Sequence, residues 1–197
     1  MELTKVYNPK ESEQKWQRYW EKNNIYKFDK KSKKPVFSID TPPPTVSGKM
    51  HVGHAFSYSQ QDFIVRYHRM KQENIFYPWG FDDNGLATER FVEKKLGIRA
   101  VDMKRSEFIK ICSKETEETE QEMLKSWKSL GLSCEFEDYY RTINKDVTKI
   151  SQLSFIELYK QKRAYRAETV SIFCPLCRTA IAQVELKDKE LDSMFNE

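Results

Sequence analysis

Apolar and charged positions follow two rhythms along the chain. In ESEQKWQRYWEKNN (residues 11–24), Trp16, Tyr19 and Trp20 fall on one face at helical spacing, which predicts an amphipathic helix. VFSID (36–40) is a short β-prone run cut off by prolines and predicts a brief buried strand. Residues 54–71 read as a helix with aromatics along one side. NIFYPWGF (74–81) is strand-like in its first half and predicts a Pro-Trp-Gly turn at its end. LATERFVEKKL (86–96) predicts a helix closed by Gly97. Residues 106–130 predict a longer one, with Phe108, Cys112, Met123, Trp127 and Leu130 near one stripe and Gly131 as its stop. A last helix is expected over 148–162.

Strand, loop, helix, then strand, loop, helix again is the order of an α/β unit with a parallel sheet. In such sheets ligands sit beyond the carboxyl ends of the strands. The loops 41–54 and 78–85 both follow strands, so they are expected to flank one pocket.

Composition narrows the class. A hydrophobic fraction of 39% with 13% aromatics is enough for a packed core, and no apolar run approaches the ~20 residues that cross a bilayer. The opening MELTKVYNPKESEQKW has no apolar segment of the export type. An intracellular, cytoplasmic protein without a membrane partner is expected. The net charge of +4 is spread unevenly: KFDKKSKK (27–34) reads as a basic linker, and KETEETEQE (114–122) as a solvated acidic face. The small positive excess permits contact with nucleic acid or nucleotide phosphates.

The densest chemistry is TPPPTVSGKMHVGH (41–54), which holds two of the chain's three histidines. His51 and His54 open a helix, where unpaired backbone N–H groups attract phosphate. Imidazoles there can donate to phosphate oxygens as charge builds in a transition state. Gly53 leaves room for a flat base against the backbone. A metal reading is weaker, because no third ligand is spaced nearby. In FDDNG (81–85), side chains alternate, so Asp82 and Asp83 cannot face one ligand together. One is expected to neutralise a cationic substrate group and the other to hold the loop or a ribose hydroxyl, with a plain Asx turn before Gly85 as the bland alternative. Cys174 and Cys177 form a C-x-x-C pair. Cys112 and Cys134 make poor partners for it, and the polar residues that follow suit a knuckle better than a redox helix start. Half of a zinc site is the preferred reading.

These residues carry a resemblance. His51-Val52-Gly53-His54 looks like the HIGH tetrapeptide of class I aminoacyl-tRNA synthetases, with valine for isoleucine. A bare H-x-G-H also occurs in small nucleotidylyl transferases. The longer TPPPTVSGKMHVGHA resembles valyl-tRNA synthetases, and YPWGFDDNGLATERFVEKKLGI is similar to their archaeal-like branch. CPLCRTAIAQVELKDKE resembles the segment leading into the large connective insertion of the same enzymes.

The resemblance implies the first half of a Rossmann-type parallel-sheet catalytic domain. It divides the chain into a helical arm and basic linker (1–34), the half-domain itself (35–165) and the truncated start of a zinc-knuckle and editing insertion (166–197). It implies activation of valine by ATP with magnesium, then transfer to tRNA-Val. His51 and His54 would be catalytic, stabilising the ATP phosphates, and Thr45 and Gly53 would help bind ATP. Pro42, Pro43 and Asp82 would bind valine, with Asp82 pairing the ammonium. Asp83, Asn84 and Gly85 would support the loop. Cys174 and Cys177 would hold half of a structural zinc completed outside the chain. No KMSKS-like loop is present in the 197 residues. Remaining synthetase segments are therefore expected to be required for activity, and the piece is expected to be inactive unaided. A non-catalytic nucleotide- or tRNA-binding relic and a small H-x-G-H nucleotidylyl transferase are the competing readings.

Overall fold

Segment 74–82 organises everything around it. It forms strands β2 (Asn74–Phe76) and β3 (Pro78–Phe81) in the computed structural model, which describes residues 6–183, Leu186 and Glu190. On one edge it pairs in parallel with β1 (Val36–Ser38), and further along Thr45 bridges to Asp82. On the other edge it pairs in parallel with β4 (Glu135–Arg141). The helices are α1 (Pro9–Lys22), α2 (Val52–Met70), α3 (Leu86–Leu96), α4 (Arg105–Ser129) and α5 (Lys145–Lys160). A short hairpin, β5 (Phe173–Cys174) with β6 (Thr179–Ala180), follows.

Alternation puts Ile75, Tyr77, Trp79 and Phe81 on one face of this central segment, and all four are buried. Against them pack Tyr58 and Val65 of α2 and Met123, Leu124 and Trp127 of α4. Trp79 is the hub, with ring centroids 4.9 Å from Trp127 and 5.1 Å from Phe136. Each fully buried ring contributes about 2–3 kcal/mol of hydrophobic burial. α2 is fixed to the turn before β4 through Asp62, which accepts from the Ser133 amide at 2.8 Å and pairs with Arg66 at 2.7 Å.

The expected Pro-Trp-Gly turn is a strand instead. Pro78 lacks an N–H, and it stands at the first position of β3, where a strand tolerates proline. Gly80 runs under the ring of Tyr140, where an added Cβ would come within 2.2 Å of it. The residues that suggested a turn are those a crowded strand requires. The strand expected over 36–40 is present as β1, but it is shorter and only partly buried, with Phe37 and Ile39 against the core and Val36 58% exposed. The helices fall where their periods place them, with α3 matching 86–96 and the others shifted by one to three residues.

The acidic run 114–122 is the largest correction. Glu115, Thr116, Thr119 and Glu120 are buried, not solvated, because α4 turns its polar middle towards partners. Glu115 pairs with Lys95 of α3 at 2.9 Å, and Glu120 with Arg141 of β4 at 2.8 Å. The basic stretch is also more than a linker: Asn74 and Asp29 exchange two hydrogen bonds that tie it to the strand starts. α1 docks through Trp20 near Arg66 and through Glu21 with Lys128, leaving Trp16 and Tyr19 about half exposed. The tail of the expected insertion, LDSMFNE, lies outside the described residues. Among the described residues no helix is long and apolar enough to cross a membrane.

Candidate functional site

The proline-rich loop and the acid loop are joined by backbone. The Asp82 amide donates to the Pro44 carbonyl at 3.0 Å, and the Val46 amide donates to the Asp82 carbonyl at 2.9 Å. This places Thr45 beside Asp82 at the carboxyl end of the central strand, with α2 opening directly afterwards. Pro42 is exposed and Pro43 half-buried on the same loop. The Tyr58 hydroxyl, in the second turn of α2, donates to the Pro42 carbonyl and pins the loop to the helix. The two loops therefore meet at the same end of the sheet, as their positions after strands predict.

His51 is the N-cap of α2 and His54 its third residue. The two imidazoles stack at 3.8 Å between centroids, and the His51 amide donates to His54 Nδ1 at 3.4 Å. Each thus closes the helix start over the other, in the manner of a capping box. His54 is half-buried, its ring edge-on to Trp127 at 5.8 Å. Burial, followed by the nearby charge of His51, holds its pKa below the usual histidine value. His54 is neutral at pH 7, and because Nδ1 accepts, its proton resides on Nε2. Gly53 admits no side chain comfortably, since a Cβ would lie 3.1 Å from the His51 ring.

The acid pair divides as alternation requires. Asp82 is half-buried; its Oδ1 accepts from the Asn84 amide at 3.2 Å and from the Thr142 hydroxyl at 3.2 Å. The Asx turn anticipated as the bland alternative is therefore real, and Oδ2 has no hydrogen-bond donor among the described residues. Asp83 points the other way, its side chain fully buried beside Arg141. Its amide donates to Thr142 Oγ1 at 2.9 Å, so one threonine after β4 holds both acids. Gly85 follows at φ +96°, a left-handed-side conformation that frees the chain to enter α3. Tyr58, Thr142, Tyr140, Glu120 and Arg141 are the parts that sequence reading missed. β4 gives no strand signal to find the last of these by.

The 173–180 hairpin lies beside α3 and the segment after it, where Arg99 donates to the Leu176 carbonyl at 2.9 Å. The Cys177 amide donates to Cys174 Sγ at 3.4 Å, and this backbone donor lowers the Cys174 pKa. The pair supplies two of the four ligands a structural zinc requires. Among the described residues no group of three His, Cys, Asp or Glu could hold a metal ion.

A family model described as tRNA synthetases class I (I, L, M and V) matches residues 15–195. The chain belongs to this family. Among class I relatives, it is 51% identical over 179 residues to a valine–tRNA ligase of Thermoplasma acidophilum, covering 91% of the chain and 23% of the relative. It is 52% identical to that of Picrophilus torridus, over 93% of the chain and 24% of the relative. With that of Rickettsia felis it shares 47% over 99% of the chain and 23% of the relative. The chain thus spans about a quarter of the length of these synthetases. A crystal structure of an Agrobacterium radiobacter LeuRS complex with tRNA and LeuAMS superposes with a TM-score of 0.74 at 24% identity, covering 90% of this chain and 21% of that one. This establishes the class I synthetase fold for the described α/β unit.

Proposed function

We propose that the chain supplies the amino-acid-activating half-site of a valine–tRNA ligase of the cytoplasm, which joins valine to ATP as valyl-adenylate and then charges tRNA-Val. The observation that carries this reading is the backbone lock between Thr45 and Asp82, which ties the proline loop leading into the histidine turn to an acid turn whose Asp82 Oδ2 has no donor among the described residues. Relatives of about 50% identity named as valine–tRNA ligases support the amino acid.

Activation is attack by the valine carboxylate on the α-phosphorus of ATP, with pyrophosphate leaving. Such a step depends on alignment and charge stabilisation more than on an acid or base. Asp82 Oδ2 would pair the valine ammonium, with Pro42 and Pro43 shaping the wall around it. Neutral His54 would donate from Nε2 to a phosphate oxygen, and His51 would flank it at the helix start. Thr45 and Gly53 would border the nucleotide. Magnesium would arrive with ATP, held largely by its phosphates. The cysteine hairpin would be one arm of a zinc knuckle completed by residues outside those described, and no chemical step passes through it.

The test is valine-dependent ATP–pyrophosphate exchange, with this chain grafted in place of the matching segment of the Thermoplasma acidophilum relative. His54→Ala should lower the exchange rate on the order of 100-fold while moving the KM for valine less than about threefold, the signature of a donor used in the transition state. Unchanged exchange would remove the phosphate role from His54.

A further inference from the structure

Behind the acid loop lies an arrangement that substrate contact does not explain. Glu120, in the middle of α4, is fully buried, and so is the Asp83 side chain. One guanidinium serves both. Arg141 Nε and Nη2 each lie 2.8 Å from Glu120 Oε1, and Nε is 3.8 Å from Asp83 Oδ2. Two buried carboxylates against one cation leave an unbalanced negative charge, which a low-dielectric interior disfavours strongly. Neither Asp83 oxygen, both of them buried, accepts a hydrogen bond within the usual distance. A proton on Glu120 resolves both difficulties, because it removes the excess charge and gives Asp83 a donor.

We propose that Glu120 is a positioning residue for the amino-acid site, its carboxyl proton bonding Asp83 and so fixing the neighbouring Asp82 for the substrate ammonium. The proposal rests on the ammonium role assigned to Asp82 above. Glu120 is on a packed helix and cannot move far, whereas Asp83 is on a loop. Asp82 is the adjacent residue, and Thr142 couples the two by accepting from one and donating to the other. The groups that face the pair are Thr116 from α4, Tyr139 and Arg141 from β4, and Asp82 from the loop. Burial first, then the hydrogen bond and charge of Asp83, push the Glu120 pKa up to about 8. Burial likewise raises Asp83 and Tyr139, so the tyrosine stays neutral in this range. Loss of the shared proton sets two negative charges face to face, and the loop is the side that yields.

Two substitutions separate a donor from a mere filler. Glu120→Gln keeps an N–H donor towards Asp83 and an acceptor for Arg141, but it cannot ionise. Glu120→Ala removes both. In valine-dependent exchange by the grafted enzyme, native KM for valine should climb above about pH 8, while Glu120→Gln holds its low-pH KM throughout. The titration of valine itself is common to both and cancels. Glu120→Ala should raise KM tenfold or more at every pH, the size of one lost hydrogen bond to a charged group, with kcat much less affected. In the 197-residue chain, NMR of the 82–85 amides should report one midpoint near that of the Glu120 carboxyl, absent in Glu120→Gln. Overturning results are a Glu120→Gln variant as impaired as Glu120→Ala, or loop amides that titrate identically with and without Glu120. If Asp82→Asn leaves KM unchanged, the ammonium role fails by itself, while the amide titration still decides whether Glu120 holds the loop.

Discussion

The histidine turn carries its own scaffold, whereas the acid turn is held from a distance. His51 and His54 are three residues apart and stabilise each other, with prolines before them and Tyr58 one helical turn beyond. Asp82 and Asp83 depend on Thr142, Arg141 and Glu120, some 37 to 60 residues away along the chain. A locally built turn keeps its geometry as long as one helix start survives. A turn built by long-range contacts is only as firm as the packing of α4 against β4, and it inherits the ionisation state of that packing.

The most damaging change should be Arg141→Ala, which leaves two buried acids without their cation and costs about 3–5 kcal/mol. Urea unfolding should register that loss, and the His51 and His54 ring signals should stay in place while the 82–85 amides move. If the histidine signals shift equally, the two turns are not independently supported. Gly80→Ala comes next, at about 1–3 kcal/mol, because its methyl group would collide with the Tyr140 ring. Tyr140→Ala in the same chain should recover most of the loss, and failure to do so would point to backbone strain instead.

The last effect is a gain, and it vanishes at low pH. Native Glu120 retains its proton in the fold but releases it near its ordinary value, 4.5, when unfolded. Between that value and about 8 the folded form binds more protons, so this group's contribution to stability falls as pH rises. Glu120→Gln should therefore match native in melting temperature near pH 4.5 and melt progressively higher than native as pH rises towards 7.5. A constant difference across that range would show that the proton is not held.

The same contrast explains what the sequence reveals. Helices α2, α3 and α4 are legible because their apolar positions repeat within a few residues, and the histidine turn because its signals are adjacent. The split between Asp82 and Asp83 is legible from alternation. β4 is not legible: EFEDYYR has no clean two-residue period, and its register shifts, so that Pro78 faces Glu135 while Gly80 faces Tyr140. Nor does the run KETEETEQE disclose that Glu120 faces inward, because the reason is Arg141, whose approach depends on an unrecognised strand. The Pro-Trp-Gly segment misleads for a related cause, since its glycine answers to a ring on another strand.

The prolines have one more consequence. Sliding the first strand by two residues along the central one would keep every side chain on its proper face, so hydrophobic pattern cannot forbid it. That slip would bring Pro44 to the place from which Val46 now donates to Asp82, leaving the Asp82 carbonyl without that donor. Pro44 thus works as a key cut for a single lock position, and it is this that guarantees which residue stands opposite the acid when the chain first folds.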